Sequence, residues 1–178
     1  MSSLTFFPEF IKFVRDIYLT EGFIPLHAPK FEGREKELLL NALKSTFVSS
    51  VGKFVDEFET KIAKYTNSKY AIATTNGTSA IHISLILADV DQNSEVITQS
   101  LNFVASSNAI NYCGAKPVFI DIRHDTLNID ETQLEALITE NTKAIILVHY
   151  AGVGCEMEHI LEIANKHEIP LIEDNAHG

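Results

Sequence analysis

The regular spacing of five short apolar runs limits most strongly what this chain can fold into. Measured from positions 70, 96, 118, 144 and 171, the steps between the runs are 26, 22, 26 and 27 residues. A crossover between parallel strands needs a helix's worth of chain, and each gap holds a helix-like segment. The spacing therefore predicts repeated βα units and a parallel sheet. Because the runs are continuous rather than alternating, both faces of that sheet are expected to be covered. The predicted strands are 70–74, 95–98, 117–122, 144–148 and 170–172.

Apolar residues outside these runs recur with helical periodicity. One-sided apolar stripes, each typical of an amphipathic helix, fall in 5–20, 38–47, 54–65 and 157–164. Gly22 and Pro25 end the first stripe, so residues 1–22 are predicted to form an N-terminal amphipathic helix. Segment 79–88 is apolar on nearly all sides and is expected to lie deep against the sheet.

The charge balance disfavours two classes of partner. The chain carries 14 Lys and Arg against 24 Asp and Glu, a net charge of −10. Nucleic acid and anionic membranes need a basic face, so neither is expected as a partner. The longest clean apolar run, 144–148, is far too short to span a bilayer. The start of the chain lacks the layout of a secretory signal, which predicts a cytoplasmic protein.

The cysteine and histidine patterns argue against a metal site. Cys113 and Cys155 lie far apart without CxxC spacing, and the histidines show neither HxxxH nor HExxH spacing. The two cysteines are predicted to be reduced thiols that pack as small apolar residues. No metal is expected.

Residues 76–79, Asn-Gly-Thr-Ser, follow the first apolar run and open a helical segment. Small residues at a strand-to-helix turn leave backbone N–H groups free, and the helix dipole adds positive potential. Gly77, Thr78 and Ser79 are therefore a candidate anion cradle. Three alternatives stay open here: an Asn-Gly hairpin turn, a glycosylation sequon and a plain helix cap without a ligand.

Other candidates follow the remaining runs at the same edge of the predicted sheet. Ligands of parallel α/β sheets bind outside the carboxyl ends of the strands. Asp174 ends the last run there, with His177 three residues further on, and Phe103 follows the second run, where an aromatic side chain could stack on a flat ring. His149 and Tyr150 end the fourth run and are also expected to face the crevice. The alternatives are a capping role for Asp174, a surface or packing role for His177 and a core position for Phe103.

Several short motifs in a fixed order resemble the N-terminal half of the DegT/DnrJ/EryC1/StrS family of sugar aminotransferases. They read Asn-Gly-Thr-Ser-Ala from position 76, Leu-Asn-Phe-Val-Ala-Ser from 101, Gly-Ala-Lys-Pro-Val-Phe-Ile-Asp from 114, Asp-Thr-Leu-Asn-Ile-Asp from 125 and Ile-Glu-Asp-Asn-Ala-His from 172. The resemblance covers roughly 24–178. It implies pyridoxal 5'-phosphate as the cofactor and a three-layer α/β/α, aspartate aminotransferase-like scaffold. Residues 23–178 would then be a truncated large domain, without its C-terminal part and without the small domain.

The resemblance also implies a role for each candidate residue. Phe103 would stack on the pyridine ring, Asp174 would pair with the protonated ring nitrogen and His177 would contact the ring hydroxyl. The cofactor phosphate would be held by Gly77, Thr78 and Ser79. A ping-pong transfer of an amino group from glutamate to a nucleotide-linked 4-keto sugar in surface-glycan biosynthesis would follow. The resemblance also implies a homodimer for the full-length protein.

One expected feature lies outside the printed chain. The family's Schiff-base lysine belongs to a Ser-x-x-x-Lys stretch beyond Gly178, so no catalytic residue is assigned. The chain also stops directly after a run of the buried type, which a finished α/β domain would cover. We therefore expect a truncated chain that cannot transaminate alone. The alternatives are a sugar dehydratase of the same family, dependent on pyridoxal or pyridoxamine phosphate, and a non-catalytic half that assembles with a separate C-terminal chain.

Two branches of the family compete for the substrate. Residues 23–30 and 47–53 resemble the branch that aminates nucleotide-linked 4-keto N-acetylhexoses on the route to legionaminic-type sugars. Residues 149–157 resemble the branch that makes 4-amino-4,6-dideoxy sugars. The legionaminic-type branch is the closer of the two, and the nucleotide sugar and the aminated carbon stay open at this point.

Overall fold

A computed structural model of the chain describes residues 3–25, 28–49 and 51–178. Two positions of the 23–30 motif, Leu26 and His27, therefore lie outside the described residues, as does one position of the 47–53 motif. The chain divides into two compact units, Met1–Tyr70 and Ala71–Gly178. Each unit is built from its own elements.

The first unit contains three helices, α1 (Ser3–Tyr18), α2 (Glu35–Ser45) and α3 (Lys53–Thr66). They confirm the helices predicted from the three N-terminal apolar stripes. A residue in the left-handed conformation ends α2 at Thr46 and α3 at Asn67, and each donates its backbone N–H to carbonyls of the last turn. This geometry satisfies carbonyl groups that would otherwise lack partners.

The second unit is a four-stranded parallel sheet with helices between its strands. The strands are β1 (Glu95–Gln99), β2 (Lys116–Ile120), β3 (Thr142–Val148) and β4 (Leu171–Asp174), in the order β2-β1-β3-β4. All three pairings are parallel, and Val148 of β3 lies opposite Asp174 of β4. The helices of this unit are α4 (Gly77–Leu87), α5 (Ala105–Tyr112), α6 (Leu134–Leu137) and α7 (Met157–Lys166).

Alternate residues of the central strands enter two separate apolar clusters, one on each face of the sheet. On one face Ile97 and Ile145 pack with residues of α6 and α7, including Ile160. On the other face Val96 and Ile146 pack with residues of α4 and α5. This two-sided burial explains the continuous apolar runs and confirms the three-layer α/β/α prediction.

Two expectations about individual elements are wrong. Residues 70–74 form no strand: Tyr70 and Ile72 are largely exposed, and none of the described strands pairs with them. A strand requires ladder hydrogen bonds to a neighbour, which an apolar run cannot supply by itself. Helix α4 is also less buried than expected, because only its sheet-facing side, including Ile81 and Leu85, is covered.

Two further findings concern the cysteines and the membrane-spanning potential of the helices. Cys113 and Cys155 are both free thiols, as predicted. Among the described residues, no helix combines the length and the apolar character needed to cross a membrane.

Candidate functional site

The residues proposed from the sequence lie at the carboxyl edge of the sheet and at the start of α4. Because β1, β3 and β4 are parallel, their carboxyl ends meet at one edge. The segments that leave this edge carry Phe103, Tyr150 and His177. The crevice outside such an edge is where α/β proteins bind ligands.

Helix α4 begins directly after a side-chain cap. Asn76 is extended, and its side-chain oxygen accepts a hydrogen bond of 2.9 Å from the backbone N–H of Ser79. A helix begins at Gly77, which excludes the hairpin turn. Asn76 caps this helix, as the helix-cap alternative proposed. The N–H of Ser79 is therefore already bonded to Asn76. The N–H groups of Gly77 and Thr78 belong to the first turn, where the helix itself offers no acceptor.

The start of α4 points toward the carboxyl end of β4. The helix packs against β4, and the residues that follow its last turn, Ala88 and Asp89, border a surface cleft together with Ile169 and Pro170, directly before that strand. The helix is therefore antiparallel to the strand. An 11-residue helix is about 16 Å long and a four-residue strand about 13 Å. Gly77 consequently lies at the same edge as Asp174.

Asp174 is half-buried and accepts two hydrogen bonds. Its Oδ2 accepts the hydroxyl of Ser106 at 3.4 Å, and its Oδ1 accepts the backbone N–H of Ala176 at 3.2 Å. Ser106 is completely buried in the first turn of α5. The contact spans 68 residues of sequence, and it joins α5 to the last strand.

His177 lies against the turn that follows β3. The backbone N–H of Ala151 donates to His177 Nδ1 at 3.1 Å. The Tyr150 and His177 rings meet edge to face, with 5.7 Å between their centroids. Tyr150, which was expected to face the crevice, therefore lies beside His177 at the edge where β4 ends.

His149 does not share that position. Only 9% of it is exposed, and its Nε2 lies 3.0 Å from Glu173 Oε2, while its Nδ1 accepts the backbone N–H of Cys155. Side chains alternate along a strand, so Glu173 is on the face opposite Asp174. The expectation that His149 faces the crevice is wrong, because the His149 side chain contacts Glu173 on the face opposite Asp174.

Phe103 is 73% exposed, which excludes the core position that the sequence left open. It lies in the segment between β1 and α5, three residues before Ser106. The start of this segment is held by the buried side chain of Gln99, which donates to the Leu101 carbonyl and accepts the Val148 N–H. The neighbouring Asn102 has both polar side-chain atoms shielded from solvent without a protein partner. Phe103 lies three residues before Ser106, the residue of α5 that bonds to Asp174.

The geometry fits a flat ligand that carries an anionic group. A Cβ built on Gly77 would meet no atom within 4 Å, so the space in front of α4 is open and any side chain there would enter it. The helix N-terminus suits an anion, the Asp174 carboxylate suits a protonated ring nitrogen, and the exposed Phe103 offers a flat apolar face. No cluster of three metal-ligating side chains occurs among the residues that the structure describes.

Ser106, Asn128 and the turn at Ala151 are not among the site residues predicted from the sequence. Ser106 stands three residues after Phe103 within a segment that was already noted. Its partner, however, is far away in the sequence. A local pattern does not show such contacts.

Comparison with known proteins places these features in a family. Residues 29–178 match the family described as DegT/DnrJ/EryC1/StrS aminotransferase family. The chain is 45% identical over 153 residues to a GDP-perosamine synthase of Caulobacter vibrioides, covering 86% of this chain and 41% of that protein. The chain thus spans about 40% of the length of the curated relatives it matches.

Solved structures have the same fold. An aminotransferase from Psychrobacter cryohalolentis superposes with a TM-score of 0.82 at 37% identity, covering 88% of this chain and 40% of that one. A GDP-4-keto-6-deoxy-D-mannose-3-dehydratase of E. coli with bound hydrated pyridoxal phosphate superposes with a TM-score of 0.77 at 27% identity, covering 86% and 41%. These matches confirm the predicted fold class, and the dehydratase structure holds the predicted cofactor.

Proposed function

This chain belongs to the DegT/DnrJ/EryC1/StrS aminotransferase family, and on that premise we propose that it forms the cofactor-binding half of a sugar aminotransferase. The enzyme would use pyridoxal 5'-phosphate to move an amino group from glutamate to a nucleotide-linked 4-keto sugar. One observation carries this proposal: the open N-terminus of α4 at Gly77 and the Asp174 carboxylate lie at the same edge of the sheet. The proposal includes a homodimer in the cytoplasm, by analogy with the family.

The phosphate would be bound by the first residues of α4. The backbone N–H groups of Gly77 and Thr78 and the hydroxyls of Thr78 and Ser79 are the donors. Ser79 would act through its hydroxyl, because its N–H is already bonded to Asn76. Gly77 would let the phosphate approach the backbone, since no Cβ occupies that space.

The ring would be held by three side chains. Phe103 would lie against its face, Asp174 would hold a proton on the ring nitrogen, and His177 would donate to the ring hydroxyl. When bound, pyridoxal phosphate supplies an electron sink for amino-group chemistry. A carboxylate beside the ring nitrogen favours the protonated ring, which is the stronger sink. Ser106 holds that carboxylate in place.

We propose a GDP-linked 4-keto-6-deoxy sugar as the acceptor. Three curated relatives named as GDP-perosamine synthases share 45%, 40% and 36% identity with this chain, which favours the 4-amino-4,6-dideoxy branch. A dehydratase remains the second candidate because a protein of that activity has the same fold at 27% identity. The lysine that the reaction requires would come from outside residues 1–178, so these residues alone would be inactive.

An isotope experiment separates these possibilities. The protein produced from its gene is incubated with pyridoxal phosphate, 15N-glutamate and GDP-4-keto-6-deoxymannose, and the sugar products are analysed by mass spectrometry. An aminotransferase gives a sugar that carries one 15N, whereas a dehydratase gives a sugar without it. Residues 1–178 alone should give neither. A nitrogen-labelled sugar from residues 1–178 alone would refute the proposed inactivity of this half.

Two neighbouring carboxylates provide a matched pair of variants. Asp174→Asn removes the charge beside the proposed ring nitrogen and should slow amino transfer by at least about 100-fold, the usual cost of losing one electrostatic contact to a reacting group. Glu173→Gln removes a carboxylate on the opposite face, where it contacts His149, and should leave the rate within about threefold. Equal effects of the two variants would contradict the placement of the ring.

A further inference from the structure

The turn after β3 makes two contacts with the His177 ring and passes close to its backbone. The Ala151 N–H donates to His177 Nδ1 at 3.1 Å, and the Tyr150 ring lies edge to face with the imidazole. A Cβ built on Gly152 would lie only 3.0 Å from the His177 carbonyl oxygen. The turn therefore fits closely around both the ring and the backbone of His177.

The first of these contacts determines where the imidazole carries its proton. A backbone N–H can only donate, so the Nδ1 that accepts it must be unprotonated. A neutral imidazole then carries its hydrogen on Nε2. None of the described residues bonds to Nε2 of His177, so this N–H is a donor available to a ligand.

The turn has an uncommon backbone conformation. Ala151 has a φ of 53° and Gly152 a φ of 82°, both in the left-handed region. A non-glycine residue is rarely found there unless surrounding contacts hold it. The turn supplies two hydrogen bonds of its own, from the N–H groups of Gly152 and Val153 to the carbonyls of His149 and Tyr150, and further contacts come from a different part of the chain.

Asn128 supplies this support. It is 2% exposed, and all of its side-chain hydrogen bonds go to the turn. Its Oδ1 accepts the Tyr150 N–H at 2.9 Å, and its Nδ2 donates to the carbonyls of Val153 at 2.9 Å and Gly154 at 3.0 Å. One amide thus binds both ends of the turn, in a geometry that no carboxylate could reproduce because two donors are needed.

The segment that carries Asn128 has hydrogen bonds and ion pairs of its own. The backbone carbonyl of Asn128 accepts the backbone N–H of Arg123 at 2.9 Å. The Arg123 guanidinium pairs with Asp125 and with the buried Glu131, at 3.1 and 2.7 Å. The segment that carries Asn128 is therefore anchored independently of the turn.

We infer that Asn128 is a positioning residue, which through the 150–154 turn holds the His177 imidazole with Nδ1 as acceptor and Nε2–H as donor toward a ligand oxygen. This inference rests on the proposed function, in which His177 contacts the ring hydroxyl of the cofactor. It assigns to Asn128 a role in ligand binding, although the residue lies on a different segment and touches His177 only through the turn.

Two variants with matched controls test the inference. Asn128→Asp keeps the shape of the side chain but loses both donors, and Asn165→Asp makes the same change on the exposed side of α7. Gly152→Ala forces a Cβ against the His177 carbonyl in a backbone conformation that disfavours it. Gly114→Ala makes the same change at another glycine with a left-handed φ, 76°, just before β2, where the added Cβ would lie 3.2 Å from the Gln92 side chain.

The direct readout is the 15N NMR spectrum of the imidazoles in the cofactor-free protein, with His177 assigned by His177→Gln. We expect the unmodified protein and both controls to show a bare Nδ1 and a protonated Nε2. Asn128→Asp and Gly152→Ala should show exchange between the two tautomers. The affinity for pyridoxamine phosphate, measured by calorimetry, should fall about tenfold in these two variants, the cost of losing one well-placed hydrogen bond, and less than twofold in the controls.

The outcomes separate this inference from the proposed function. A protonated Nδ1 in the unmodified protein would overturn the inference without any variant, and so would folded variants that keep the original tautomer. If the tautomer changes and the affinity does not, the positioning role holds and the contact between His177 and the ring hydroxyl is refuted. If pyridoxamine phosphate does not bind at all, the proposed function fails, and the spectra alone then decide the role of Asn128.

Discussion

Replacing Gly77 with alanine should change stability and ligand affinity in opposite directions. Gly77 is the first residue of α4, and its conformation is helical. Alanine has less freedom to lose on folding, and a Cβ at this position meets no atom within 4 Å. The free energy of unfolding should therefore rise by up to about 0.5–1 kcal/mol. For a chain of this size the melting temperature should rise by roughly 1 to 4 °C.

The same methyl group should obstruct the proposed phosphate site. The Cα–Cβ bonds of a helix tilt toward its N-terminus, so the new Cβ enters the open space in front of α4. Displacing the phosphate from one backbone N–H removes a hydrogen bond to a charged group, worth about 1.5–3 kcal/mol. The dissociation constant should rise roughly 10- to 100-fold.

The assay uses pyridoxamine phosphate, whose amine cannot form adducts with surface lysines, and pyridoxamine as the phosphate-free control. Calorimetric titration of the cofactor-free protein gives both affinities, and a thermal melt gives the stability. Gly77→Ala should weaken binding of the phosphorylated compound and leave the weak binding of pyridoxamine unchanged. Gly22→Ala, which adds a methyl group after α1 with only the Thr20 hydroxyl at 3.4 Å, should affect neither affinity. An unchanged affinity for pyridoxamine phosphate, or an equal loss for both compounds, would refute the phosphate site at α4.

Three further results are expected. Asn76→Ala removes the cap of α4 and should lower the free energy of unfolding by about 1 kcal/mol in urea denaturation; an unchanged value would contradict the cap. Hydrogen bonds from Lys166 and the adjacent histidine lower the pKa of Glu135 to about 2. Because this folded-state pKa lies below the usual value, the stabilisation is complete above the usual carboxyl range and is lost as the pH falls toward 2. The difference in melting temperature between the protein and Glu135→Gln should shrink over that range, and a constant difference would count against it. Burial raises the pKa of Cys155 to about 11, so iodoacetamide at neutral pH should label the less buried Cys113 first, as followed by mass spectrometry; equal rates would show that burial does not protect Cys155.

Local patterns in the sequence were sufficient for most of the fold. The runs at 95–98, 117–122, 144–148 and 170–172 became β1 to β4 with small shifts of their ends. This succeeded because a strand covered on both faces must be apolar at consecutive positions, and a helix covered on one side must be apolar every three or four residues. Both patterns can be recognised within a few consecutive residues. The segment 70–74 satisfied the first rule and still formed no strand, because strand formation also needs a neighbour.

The candidate site was also predictable only in part. The sequence determined which residues end the strands and begin the helices, because those positions follow from the local apolar pattern, and the parallel arrangement then brought them to one edge. Only the tertiary structure decided their contacts. It assigned the Ser79 N–H to Asn76, turned His149 toward Glu173, placed Ser106 beside Asp174 and joined Asn128 to the turn that holds His177. Most of these contacts join residues more than 20 positions apart, and such distances are set by how strands pair and helices pack, which no short stretch of sequence encodes.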